Sequence, residues 1–182
     1  MKNYFRALVS TIFLLCVAGT ASADSLTFVS LGGGSGGPSK STNFSFDMGV
    51  TVQDSFLLAF SVGVIQNGGD VPNDILRYPV PHTSYTNLGI KQDGSEYAIM
   101  GKAGVEVSDT NIYLIGILGA SLSTEITLAQ SNITGWFYEQ NTTNKTNAVY
   151  GTGMAYIYPK GLLLEVDYDN RRGITGMIGW SF

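Results

Sequence analysis

Cysteine is almost missing from this chain. The only one, Cys16, lies close to the N-terminus, so the rest can form neither a disulfide nor a thiolate metal site. Histidine is equally scarce, with His82 alone, which leaves little for a catalytic triad or an imidazole metal site. Charged residues make up 13% of the 182 residues, about half the usual share of a soluble domain. Beyond the N-terminus no apolar run approaches the roughly 20 residues that a membrane-spanning helix needs. Basic residues number 10 against 14 acidic, and nucleic acid is a poor partner for such a surface.

The residues present are hydrophobic but dispersed. Hydrophobic residues reach 44%, with 23 glycines, 10 tyrosines and 9 phenylalanines against two tryptophans. High apolar content without long apolar runs is what alternating strands produce. Glycine and aromatic enrichment favours strands and tight turns over helices.

Residues 1–23 read as a cleaved signal peptide. Lys2 and Arg6 make a positive start, Ala7 to Ala18 an apolar core, and Ala21-Ser22-Ala23 a small-residue cleavage pattern before Asp24. The core is too short for a membrane anchor. Leu15 stands before Cys16 where lipidation sites use a small residue. The remaining domain, 24–182, then carries eight basic residues against 14 acidic, a net charge of −6.

Alternation of apolar with small or polar residues marks the strands. Phe44, Phe46, Met48, Val50 and Val52 oppose Asn43, Ser45, Asp47, Gly49 and Thr51. After Gln53-Asp54-Ser55 comes Phe56, Leu58, Phe60, Val62 and Val64 against Ala59, Ser61 and Gly63. Tyr97, Ile99, Gly101, Ala103, Val105 and Val107 oppose Ala98, Met100, Lys102, Gly104 and Glu106. The stretch from Asn111 to Leu122 is apolar on both faces and its sides stay unassigned. Tyr150, Met154, Tyr156 and Tyr158 oppose Gly151, Gly153 and Ala155. Finally, Leu162, Leu164, Val166 and Tyr168 oppose Leu163, Glu165, Asp167 and Asp169, and Ile174, Gly176, Ile178, Trp180 and Phe182 oppose Thr175, Met177, Gly179 and Ser181.

With a weaker first strand, eight strands are expected, near 26–33, 42–52, 56–65, 96–107, 111–122, 147–158, 162–169 and 173–182. Short turns follow the second, fourth and sixth. Longer or glycine-rich connections follow the others: Gly32–Ser39, Gln66–Ser95 and Ser123–Asn147 read as loops, the last containing strand-like alternation around Ile133–Tyr138. This alternation fits an all-β, eight-stranded antiparallel up-and-down transmembrane barrel with both termini in the periplasm. A ten-stranded version would need a crossing hairpin from Ile75–Val80 and Thr83–Lys91, which the nearby prolines disfavour. A secreted β-sandwich or lipocalin-like barrel would invert the faces. The glycines on the polar side and the terminal phenylalanine favour the membrane version.

Candidate site residues follow from the inward faces. Lys102 is expected to bridge Asp47 and Asp167 at mid-height, with Glu106 and Glu165 lower, because a lone buried lysine is costly without carboxylates. This predicts a polar, filled lumen; a gate or narrow pore is the other reading. His82, just after Pro79 and Pro81 with Ser84 nearby, reads as a surface residue, not part of a lipid-modifying site. No catalytic residue, cofactor or metal is expected. Trp136, Phe137 and Tyr138 are candidate loop contacts for a surface partner, or else part of an aromatic girdle. Arg171-Arg172 reads as a solvated turn, with lipopolysaccharide phosphate as the alternative. The Asn-x-Ser/Thr triplets at Asn43, Asn132, Asn141 and Asn144 carry no function in a bacterial outer-membrane setting.

The architecture, together with the end Gly179-Trp180-Ser181-Phe182, resembles the small eight-stranded outer-membrane barrels typified by the OmpA transmembrane domain and OmpX. That resemblance implies a porin-like protein of a Gram-negative outer membrane, in contact with outer-membrane lipid and lipopolysaccharide. It implies that Trp180 and Phe182 form the signal read by the barrel assembly machinery. The resemblance is silent on function; the long loop Ser123–Asn147, with Trp136, Phe137 and Tyr138, points to a structural or surface-binding role, with an extracellular protein or surface ligand reached through the loops.

Overall fold

A computed structural model describes residues 25–37, 41–53, 55–66 and 71–182. The signal peptide expected over 1–23 lies outside the described residues. Eight strands form one closed antiparallel barrel in sequence order: β1 (Thr27–Gly36), β2 (Ser41–Val52), β3 (Phe56–Ile65), β4 (Tyr85–Glu106), β5 (Ile112–Ser131), β6 (Phe137–Ile157), β7 (Leu162–Asp169) and β8 (Gly173–Ser181). The seam is a ladder from Phe28 opposite Ser181 to Ser35 opposite Ile174. Thr27 and Phe182 extend it by exchanging backbone hydrogen bonds of 3.0 and 2.8 Å.

The alternation decides the two surfaces. Leu31, Phe44, Leu118, Tyr150, Ile178 and Trp180 stand outward and are more than half exposed. Exposure of so many large apolar side chains suits a wall facing lipid, not water. The inner face is layered. Phe28, Leu57, Tyr113, Ile115, Ile157 and Leu163 pack into an apolar layer near the short turns. Above them lie the buried charges Asp47, Lys102, Glu165 and Asp167, and then Asp169 and Arg172. On β5, whose two apolar faces left its orientation open, Tyr113, Ile115 and Ile117 point inward and Leu114, Leu118 and Leu122 outward.

Three connections differ from the sequence reading. Gly32 to Gly36 is ladder, not loop. At Gly34 a β-carbon would collide with the backbone of Ile174 on β8, so glycine here permits close approach at the seam. Tyr85 to Ser95 is continuous with β4, and within 71–84 only Leu76 makes a bridge, to Tyr138. No crossing hairpin forms among the described residues, so the ten-stranded alternative falls. Ser123–Asn147 is a hairpin: β5 runs to Ser131 and β6 begins at Phe137.

As a result the walls differ in height. β4, β5 and β6 have 22, 20 and 21 residues, whereas β7 and β8 have 8 and 9. A tilted bilayer crossing takes about 9–11 residues. The upper halves of β4, β5 and β6 therefore form a three-stranded sheet standing above the belt. The 71–84 segment crosses this sheet and pairs with the outer edge of β6 through Leu76, bonded to Phe137 and Glu139 at 2.9 Å each.

Candidate functional site

Two places concentrate unusual side chains: the lumen at mid-height and the free end of the tall sheet.

In the lumen, Lys102 of β4 reaches across to three carboxylates. Its ammonium donates to Glu165 at 2.6 Å and to Asp47 and Asp167. All four side chains are fully or almost fully buried. Strand parity brings them together: β2 supplies Asp47 from one side and β7 supplies Glu165 and Asp167 from the other. Three N–H donors meet three carboxylates, so the ammonium is saturated. Glu165 joins the lysine directly, where the sequence reading set it lower. Glu106 does not join the cluster. It has the inward parity of Lys102, yet it lies where β4 ends, and its carboxylate accepts the Asn111 backbone N–H of the next turn at 2.7 Å.

Residues missed by the sequence reading complete the network. Arg172 is not solvated; it is fully buried. Its guanidinium pairs with Asp169, donates to Ser45 at 2.7 Å and lies 3.7 Å from Asp167. Asp169 also accepts the backbone N–H groups of Arg171 and Arg172 at 2.9 and 2.7 Å, so the carboxylate that pairs with the arginine also shapes its turn. Arg171 grips the buried Glu96 through two bonds of 2.8 and 2.6 Å, leaving neither arginine free for lipid phosphate. The inward parity of Asp169 was the available signal. Nothing in Asp-Asn-Arg-Arg-Gly shows that the turn folds Arg172 back into the barrel.

The tall end has the opposite character. Residues 132–136 turn the β5–β6 hairpin, and Ser131 organises that turn. Its Oγ accepts the N–H of Ile133 at 3.1 Å and of Thr134 at 3.0 Å. Gly135 donates to the Ser131 carbonyl at 2.9 Å, and Asn132 to that of Ser84 at 3.0 Å. Ile133 and Trp136 project from this fixed turn, 69% and 58% exposed. Of the three candidate loop aromatics, Trp136 alone is presented fully. Phe137 is half-buried, and Tyr138, only 4% exposed, lies under the 71–84 segment with its ring 5.7 Å from Tyr78. Tyr138 is thus a packing residue and not a contact for a partner. Lower down, Arg77 clasps Asp93 and, at 2.9 Å, Glu139. Hydrogen bonds from Thr142 and Arg77 hold the Glu139 carboxyl below its ordinary range.

His82 is half-buried rather than a free surface residue, with Nε2 3.0 Å from Ser131 Oγ. This pair has the composition of a catalytic dyad but not its geometry. Ser131 Oγ already accepts two backbone N–H groups, and His82 Nδ1 has no partner to orient the ring. A base needs such an orienting group.

No protein-family model and no curated protein matches this sequence. Solved structures do match in shape. Ail, the attachment invasion locus protein of Yersinia pestis, superposes with a TM-score of 0.51 at 15% identity, covering 87% of this chain and 95% of that one. Ail in a phospholipid bilayer nanodisc gives 0.50 at 13% identity, covering 87% and 99%. This chain has the fold of the small eight-stranded outer-membrane barrels. The N-terminal barrel domain of Pseudomonas aeruginosa OprF also matches, with a TM-score of 0.45 at 13% identity over 87% of this chain and 98% of that one. Within this fold class no subfamily is singled out.

Proposed function

We propose that this protein is an integral barrel of a Gram-negative outer membrane, its lumen plugged by the Lys102 network, and that it acts as a surface-binding protein through the tall sheet. Short turns face the periplasm, as do both termini, and β4–β6 rise outside. Trp180 and Phe182 act as the assembly signal, and the outer wall contacts membrane lipid. One observation carries the binding role: a rigid hairpin tip that presents Ile133 and Trp136 to solvent. A closed barrel has no need of such a tip, and exposed tryptophan on a fixed backbone is the residue type that anchors protein interfaces. The outer edge of the sheet adds a second handle. Among the described residues, no strand pairs with β6 over 140–147 on the side away from β5, and an unpaired edge can accept a partner strand.

A protein partner fits better than a polyanion. Arg77, Lys145 and Arg171 are each ion-paired within the chain, and the formal net charge is −4. The test is adhesion of cells displaying the barrel to fibronectin-coated and heparin-coated surfaces. Adhesion to protein that falls to background in an Ile133→Ser/Trp136→Ser variant at equal surface level supports the reading. Adhesion to heparin alone, or adhesion to protein unchanged in the variant, overturns it.

A narrow pore is the second reading, because a charged lumen could be a gate. Steady planar-bilayer conductance of the wild type that changes in Lys102→Met would favour the pore, and conductance unchanged in the variant would sink the gate. Enzymatic activity is no part of the proposal: lipid A acyl chains are expected to be the same with wild type and with His82→Ala by mass spectrometry.

A further inference from the structure

The chain has a single histidine, and it stands against the residue that shapes the tip. Ser131 Oγ has three polar neighbours. They are the backbone N–H groups of Ile133 and Thr134, at 3.1 and 3.0 Å, and His82 Nε2, at 3.0 Å. A hydroxyl offers two lone pairs and one proton. The two N–H groups take both lone pairs, so the third contact is made with the proton. Ser131 therefore donates to His82, and Nε2 accepts as a bare nitrogen. The ring proton of neutral His82 then sits on Nδ1, which is buried and has no partner.

A second proton on the ring defeats this contact. An imidazolium carries N–H on both nitrogens. Its Nε2–H would face an oxygen whose lone pairs are already taken, so it must displace a tip N–H or move away. Its Nδ1–H would still lack an acceptor. Neighbouring charges offer no compensation. On the elements around the 71–84 segment, Arg77 is bound to Asp93 and Glu139, and Lys145 to Glu125. Asp74, on the segment itself, and Lys91, on β4, make no bond to the ring. The other titratable groups there are the phenols of Tyr78, Tyr85 and Tyr138.

We propose that His82, in its Nδ1–H form, is the positioning residue of the binding tip. The neutral ring holds the 71–84 segment on Ser131, and the protonated ring lets go, so the turn that presents Ile133 and Trp136 loosens in acid. The role rests on the surface-binding reading; the geometry does not.

The test uses the full chain refolded in detergent with 15N-labelled histidine, whose one ring needs no assignment. Spectra are taken at about pH 7.5 and about pH 5, either side of the imidazole range. At the higher pH the ring should show a protonated Nδ1 and a bare Nε2. At the lower pH the amides of Ile133 and Thr134 should lose about fivefold of their exchange protection, measured against the intrinsic rate at each pH, the weight of one hydrogen bond. His82→Gln supplies an acceptor that does not titrate, and it should keep that protection at both pH values. Adhesion to fibronectin-coated surfaces should follow the same pattern, falling in acid for wild type and not for His82→Gln. A protonated Nε2 at the higher pH would overturn the proposal. So would protection that is equal at the two pH values in wild type, or that falls equally in His82→Gln. Adhesion absent throughout, with ring and amides behaving as expected, would uphold the role of His82 at the tip and overturn the surface-binding reading alone.

Discussion

The two ends of this molecule invert each other's chemistry. In the barrel, charged side chains are buried and paired above an inner apolar layer, while a belt of large apolar side chains faces outward. In the tall sheet, ion pairs lie on the surface, Ile126, Leu128 and Tyr138 are buried, Tyr138 against Tyr78 of the 71–84 segment, and Ile90, Ile133 and Trp136 stand exposed. The short wall of β7 and β8 shows how little length closure requires: 8 and 9 residues suffice. Each of β4, β5 and β6 spends about ten residues beyond a bilayer crossing. One end is therefore built for stability in lipid, and the other presents a surface.

The largest effect that could break this division is expected in the lumen. Lys102→Met leaves three buried carboxylates facing one another, and removing one partner of a buried ion pair costs about 3–5 kcal/mol. Urea unfolding of the refolded barrel should show that loss, and adding Asp47→Asn and Asp167→Asn should return most of it. A Lys102→Met barrel as stable as wild type would mean that the cage contributes nothing.

Arg172→Ala comes next. It leaves Asp169 without its guanidinium and Ser45 without a donor, at about 2–3 kcal/mol for charge-assisted bonds. The same unfolding experiment measures it. Arg171→Ala, whose side chain is partly exposed, is expected to lose less, and the reverse order would show that the two arginines have been ranked wrongly.

The tip reverses the pattern. Ile133→Ser/Trp136→Ser should shift the unfolding midpoint by no more than about 0.5 kcal/mol, the usual range for surface positions. The same change should lower partner adhesion by roughly tenfold or more, as expected when an interface anchor is lost. A stability loss with adhesion retained would reassign the tip to folding.

The smallest effect concerns the clasp of Arg77 on Asp93 and Glu139. The Glu139 carboxyl titrates below its unfolded value because Thr142 and Arg77 stabilise its charged form. Its contribution is thus present at neutral pH and is lost as pH falls through that lowered value. Hydrogen-exchange protection of 71–84, measured against the intrinsic rate at each pH, should fall under acid, and Arg77→Ala should lower it already at neutral pH with little change in global stability, since exposed pairs contribute about 0–1 kcal/mol. Exchange insensitive to both would mean that Leu76 pairing alone holds the segment.

What the sequence disclosed follows the hydrocarbon. Wherever a strand crosses the apolar belt, one face must be greasy, and the period-two signal of β2, β3, β7 and β8 is plain. Above the belt that pressure ends. Gln140 to Asn147 is polar on both faces, so β6 there looks like loop although, past a bulge at Gln140, it stays in the ladder with β5. Prolines 72, 79 and 81 made the whole of Gln66–Ser95 read as loop and hid the start of β4 at Tyr85. The Lys102 partners could be read from parity, which fixes face and approximate height. Parity misplaced Glu106, because a strand end offers its side chain to the neighbouring turn. Arg172 escaped because a turn residue has no parity, and its direction is set by how β7 and β8 close.

Replacing residues 124–144 with a tight turn between Ser123 and Lys145 tests the separation of the two ends most directly. The urea midpoint of the refolded, shortened barrel should equal that of the full chain, because every bond of the lumen network lies below the cut. A shortened barrel that fails to refold, or unfolds at a clearly lower urea concentration, would show that the tall sheet exists to hold the barrel together, and the surface-binding account would lose its ground.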